Sequence, residues 1–272
     1  MRGASHVRRS LPNQDALSWK IGCQGKAVTV GAVSDGHGGR RHYRSGIGSK
    51  LAVAAAIRQA ELLDEKVVSG LPLAGSHQLL PDMVRNIVAD WTRAVLIHNA
   101  DCGAEVENHH VEQSEILERY GATLLIALAV ADVLIFLQIG DGDLVVVNDR
   151  KDVWRIFAPD AGLKGEETYS LCLPGAEKYF RATAIDLQGD GAPTFVMLST
   201  DGVAKSFVSD EEFLAVVSEY SSLIQEQGIA AIEPELDGWL SELSRLGSGD
   251  DATILFIVRQ EAPQPAVKIE PM

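Results

Sequence analysis

"ATLLIALAVADVLIFL", Ala122 to Leu137, is the stretch whose reading decides the fold. It imitates a membrane span, but it is a little short and Asp132 lies inside it. A carboxylate at the bilayer centre costs about 2.5–3.5 kcal/mol even on insertion scales. Two buried strands joined by a tight turn at Ala131-Asp132 account for it better. The run is rich in Leu, Val and Ile, and one polar turn residue bisects it. Thr123–Val130 and Val133–Ile139 are therefore expected as strands.

Downstream, Leu144–Asn148 and Val153–Phe157 extend the pair into a four-strand meander. Ala158–Lys178 carries Pro159, Gly162, Gly165, Pro174 and Gly175 and reads as a long loop. Tyr179–Leu187 and Thr194–Ser199 read as strands, Asp210–Tyr220 and Ile232–Leu246 as helices, and Ala252–Arg259 as a closing strand. Upstream, Leu17–Lys20 and Lys26–Ser34 read as an opening hairpin with Gly22 and Gly25 in its turn region. Ser45–Leu63 is rich in Ala and Leu, and Ile47, Leu51, Ala54 and Ala55 recur at helical spacing. Residues 69–82 read as a Gly/Pro loop. Asp82 to Glu118 reads as one long helix or two, starting near Pro81. Strands are mostly consecutive instead of alternating with helices. That order predicts an α+β fold, antiparallel sheets covered by helices, and not a doubly wound sheet. No repeat or linker divides the chain. The expectation is one domain, 1–259, and a Pro-containing, disordered tail, 260–272.

The chain has 272 residues, of which 46% are hydrophobic and 23% charged, with a formal net charge of −14. That balance argues against a nucleic-acid partner, because phosphate backbones would be repelled. It is also what plain solubility requires. Cys23, Cys102 and Cys172 are far apart, odd in number and form no CxxC, which argues against a disulfide framework or a zinc site. "MRGASHVRRS" has charge without an apolar run, so no signal peptide is visible. These features predict a cytoplasmic protein without a membrane partner.

Acidic residues recur at the ends of apolar strands. Asp15 precedes the first strand in "PNQDAL". Asp35 follows "VGAVS", Asp141 follows "LIFLQI" and one glycine, Asp201 follows "TFVMLST", and Asp250 and Asp251 precede "ATILFIV". Taken singly, an Asp-Gly after a strand is a turn. Taken together, five segments deliver a carboxylate to a strand edge. Gathering them costs repulsion unless cations neutralise them. Hard cations such as Mg²⁺ or Mn²⁺ suit an all-oxygen shell, and two of them side by side activate water near neutral pH.

"SDGHGG" (Ser34–Gly39), "YGATLL" (Tyr120–Leu125), "IGDGDLVVV" (Ile139–Val147), "LSTDGV" (Leu198–Val203) and "SGDDATILFIV" (Ser248–Val258) resemble the successive motifs of the metal-dependent protein phosphatase 2C family. They run in family order through nearly the whole chain. The resemblance implies a four-layer α-β-β-α sandwich, two antiparallel sheets flanked by helix pairs, with a binuclear Mn²⁺/Mg²⁺ site at one end. It implies that Asp35 bridges both metals and Gly36 offers its carbonyl. Asp201 and Asp250 would bind the first metal, and Asp15 would hold metal waters. Asp141 with Asp201 would hold a weaker third metal. His37 would be the general acid for the departing Ser/Thr oxygen, with a loop histidine without a task as the bland reading. Asp251 is a secondary ligand candidate. The implied substrate is a phosphoserine or phosphothreonine protein, made by a cognate kinase in a signalling pathway.

Two positions depart from the family pattern. Gln14 stands where many members place a second-metal Glu, and Ser10 where they place a phosphate-gripping Arg. "SHVRRSLPNQDA" resembles the opening of a bacterial branch, which carries Ser-His and Gln-Asp at these places. His6, Arg8 and Arg9 are candidates to meet the phosphate, against a solvated basic arm. The alternative functional reading is a weak or inactive phosphatase-fold regulatory module that binds a phosphoprotein. A third is a hydrolase of small phosphorylated metabolites.

Overall fold

The computed structural model describes residues 1–22, 28–63, 73–102, 111–159 and 168–259. The tail 260–272, the middle of the 158–178 loop and the start of the second strand at Lys26 lie outside the described residues.

Ala122–Leu137 is a hairpin. β3 (Leu124–Val130) and β4 (Val133–Ile139) pair antiparallel with Val130 opposite Val133. Ala131 makes the turn at φ 50°, and the Asp132 carbonyl accepts from the Leu187 amide at 2.7 Å. β1 (Ala16–Ile21), β2 (Val28–Ser34) and β7 (Arg181–Asp186) complete a sheet in the order β1-β2-β3-β4-β7. β5 (Asp143–Asn148), β6 (Val153–Arg155), β8 (Pro193–Ser199) and β9 (Ile254–Val258) form a second, in the order β6-β5-β8-β9. The expected four-strand meander is thus two hairpins in different sheets, and the chain changes sheet at Gly140–Gly142. Gly140 has φ 102°, and a Cβ there would meet Thr123 Cγ2 at 2.4 Å, so glycine is required.

Helices cover both outer faces. α2 (Ser45–Leu62) and α3 (Leu73–Asp101) lie on the five-stranded sheet. Ala52, Ala56, Ile87 and Trp91 share a core there with Val30, Ala32, Leu124 and Ile126. α6 (Asp210–Gln227) and α7 (Ile229–Leu246) cover the other sheet, where Phe213, Val217 and Leu240 meet Val145, Phe195 and Met197. Between the sheets lie Val33, Leu125, Phe136, Val146, Leu198 and Leu255. The result is the α-β-β-α sandwich. Its central strands are buried on both faces, which is why they read as continuous apolar runs without alternation. Each fully buried Leu, Ile or Phe contributes about 1.5–3 kcal/mol.

Two further features differ from expectation. The segment 73–82, expected as loop, is the start of α3, with Pro81 inside the helix. Proline removes one backbone bond, but Leu80, Met83, Val84 and Ile87 are buried and hold the helix through it. The described residues of 82–118 form two helices, α3 and the short α4 (Gln113–Glu118), which is one of the two expected alternatives. The basic N-terminal segment is a helix, α1 (Ala4–Arg9), and a four-residue helix, α5 (Asp201–Ala204), follows β8. Among the described residues, no helix is long and apolar enough to cross a membrane.

Candidate metal centre

Strand register brings the acidic residues to one end of the sandwich. Ala16 opposes Ser34, so the start of β1 lies beside the end of β2. Val33 opposes Leu125, and Leu124 opposes Ile139. In the other sheet Asp143 opposes Ser199, which opposes Ile254. Asp15, Asp35, Asp141, Asp201 and Asp250 are therefore all carried to the same edge. They border a cleft of about 900 Å³ lined by Gln14, Asp35, His37, Asp141, Asp201 and Asp250, with Gly36, His6, Arg9 and Lys205 also on its walls. Arg8 is exposed and does not line it; Asp15 and Asp251 lie buried behind it.

Each group is fixed locally. The Asp35 amide donates to Thr123 Oγ1 at 2.9 Å, and the Thr123 amide returns a bond to the Asp35 carbonyl at 2.9 Å. Gly36 has no room for a side chain, since a Cβ would sit 2.7 Å from the Gln14 carbonyl oxygen. The His37 amide donates to the Gly121 carbonyl at 3.0 Å, and the ring packs edge-on to His42 at 5.1 Å. Asp15 Oδ2 accepts from Thr200 Oγ1 at 2.9 Å and Thr253 Oγ1 at 2.8 Å. Asp141 Oδ1 accepts from Thr168 Oγ1 at 3.0 Å. Gln14 Nε2 donates to Ser45 Oγ at 2.7 Å.

Asp251 has a different setting from Asp250. Its Oδ1 accepts from the Gly3 amide at 2.6 Å, and its Oδ2 accepts from the Gln14 amide at 2.7 Å and lies 2.9 Å from His6 Nδ1. It ties α1 to the floor of the site. His6 Nε2 lies 4.0 Å from Asp250 Oδ1, so His6 spans the two carboxylates. Lys205, Thr123, Thr200 and Thr253 were not singled out in the sequence. Lys205 had a signal: it stands four residues after Asp201, helical spacing for an ion pair. The threonines had only their place at strand ends.

The floor is short of positive charge. Burial pushes Asp15 up to about 7, against the two threonine bonds and with the charge of Asp251. Asp35 is pushed well above the usual carboxylate value by burial, then by Asp15, Asp201 and Asp250. Asp141 and Asp250 are raised too, by burial and then, among the charges that raise them, by Asp201. Burial lowers His37 to about 4, with His42 adding and Asp201 opposing. Asp15 Oδ1 is buried with no hydrogen-bond partner among the described residues, although the Asp35 carboxyl is within reach of Asp15. Both are acceptors when ionised, so a proton or a cation is needed there. Among the described residues, no three His, Cys, Asp or Glu side chains form a ready-made cage for an ion. The donor chemistry nevertheless fits a hard divalent cation: oxygen ligands, an orphaned buried oxygen, and repulsion that such a cation would relieve.

The protein phosphatase 2C family model matches residues 2–241, and the chain belongs to that family. Its members are serine/threonine phosphatases. Asp250 and Asp251 lie beyond the matched segment, so their place rests on geometry. A search of curated proteins finds no sequence match. Among solved structures, the fold is similar to the Mycobacterium tuberculosis serine/threonine phosphatase PstP/Ppp, at 18% identity, 96% coverage of each chain and a TM-score of 0.58. The catalytic domain of PstP in complex with two manganese ions is 20% identical, with 92% of this chain and 93% of that one covered and a TM-score of 0.57. Stp1 from Staphylococcus aureus is 17% identical, with 92% and 90% covered and a TM-score of 0.56.

Proposed function

We propose that the chain is a metal-dependent phosphoserine/phosphothreonine protein phosphatase with a binuclear Mn²⁺ or Mg²⁺ centre. The observation that carries this reading is the convergence of Asp35, Asp201 and Asp250 on one cleft, above the unpartnered Asp15 Oδ1 and beside His37. Asp35 would serve both ions and Gly36 would offer its carbonyl oxygen, while Asp201 and Asp250 would serve the first ion and Gln14 the second through its amide oxygen. Asp15 would hold water through its free oxygen. When bound, the ions supply Lewis-acid activation of water and neutralise the floor.

The chain's own residues do the rest. Arg9 lines the cleft and takes the phosphoryl oxygens. His6 is held by Asp251, so it positions α1 and with it Arg9. His37 donates a proton to the departing serine or threonine oxygen. Burial biases its ring toward the neutral form, and a phosphoryl dianion beside it opposes that bias and favours the protonated donor. A cognate kinase, a signalling role and a cytoplasmic location complete the reading.

Gln14, a neutral group at a cation position, favours the alternative of a weak or inactive phosphoprotein-binding module. Chelator-stripped protein should not hydrolyse a phosphoserine peptide until Mn²⁺ or Mg²⁺ is added. Full turnover without metal contradicts the mechanism. Peptide binding without turnover at any metal concentration selects the regulatory module.

A further inference from the structure

One cation at the cleft already belongs to the chain. Lys205 follows α5, and its Nζ pairs with Asp201 Oδ2. The same Nζ stands 3.9 Å from Asp141 Oδ2. The two carboxylates arrive from different places, Asp141 from the crossing between the sheets and Asp201 from the end of β8. The ammonium faces both, and the lysine side chain is 55% exposed, on the cleft wall. Asp141 is held in place independently by Thr168.

A divalent ion between Asp141 and Asp201 would have to share that space with a like charge or expel it, breaking the Lys205–Asp201 pair. Asp201 has two oxygens. Oδ2 is committed to Lys205, which leaves Oδ1 for a divalent ion. We propose that the Lys205 ammonium is a built-in cation that occupies the place between Asp141 and Asp201, so that the cleft takes two divalent ions and excludes a third. The inference rests on the metal-centre reading above and adds to it a count and a residue.

The test is the amount of Mn²⁺ bound at saturation by chelator-stripped protein in equilibrium dialysis, without reference to activity. Wild type should bind two ions. Lys205→Met keeps the length of the side chain and removes its charge, and it should bind a third ion at higher free Mn²⁺ than the first two. Lys205→Arg should stay at two, and adding Asp141→Asn to Lys205→Met should return the count to two. Circular dichroism confirms that each variant is folded, and the exposed position of Lys205 makes that the expected result. Three ions in wild type, or two in Lys205→Met, overturns the inference while leaving the binuclear reading intact. A third ion that survives Asp141→Asn also overturns it, because the new site would lie elsewhere. Fewer than two ions in wild type overturns the metal-centre reading and this inference with it.

Discussion

Gln14 Nε2 donates to Ser45 Oγ at 2.7 Å and to the His37 carbonyl at 3.4 Å. The amide nitrogen is thus engaged by the protein, and the amide oxygen is the atom left for a cation. A neutral oxygen attracts a divalent ion less than a carboxylate does. Gln14→Glu keeps the size and adds one negative charge; it gives up the donor to the His37 carbonyl, while Ser45 can reverse its bond. We expect the substitution to lower the Mn²⁺ concentration for half-maximal binding several-fold, on the order of 1 kcal/mol. A Mn²⁺ titration of both proteins measures it, and an unchanged curve would mean that Gln14 points away from the ions. At this scale the sequence is legible for residue type and place, and not for task. Asp250 and Asp251 are identical neighbours, yet one lines the cleft and the other is buried under three protein donors. In "DGD", Asp141 lines the cleft, while Asp143 pairs with Arg155 at 2.6 Å. Only three-dimensional partners separate such pairs.

Between elements, the weak link to the site is α1. A six-residue helix is too short to be stable alone. It is held by what its ends and His6 touch: Asp251 takes the Gly3 amide and His6, and Ser244 Oγ accepts from the Ala4 amide at 3.0 Å. Asp251→Asn puts an amide NH₂ where an acceptor is required. We expect a stability loss of about 2 kcal/mol, the scale of one hydrogen bond to a charged group. Urea unfolding without metal measures the loss, and proteolysis near residues 1–13 should become faster. Unchanged stability would mean that α1 is held by other contacts. This docking was invisible in the sequence, since "SHVRRS" has neither the length nor the apolar stripe of a helix. The crossing from β4 to β5 was hidden for another reason. Strands buried on both faces look alike in either sheet, so the apolar runs showed that strands existed but not how they paired. Pro81 misled in the opposite direction, because a local breaker was overridden by buried neighbours.

For the whole molecule, the sandwich delivers strand ends from both sheets to one edge and leaves their carboxylates facing one another. Asp15, Asp35, Asp141 and Asp250 are all raised, by burial first and by neighbouring carboxylates after it, and that is the cost of the convergence. The central claim of the account is that divalent cations offset this gathered charge. The direct measurement is an anomalous-difference map, collected near the manganese edge from crystals soaked in Mn²⁺. The account predicts two peaks, both against Asp35, one of them also against Asp201 and Asp250. Well-occupied manganese elsewhere with no peak at Asp35 would contradict it.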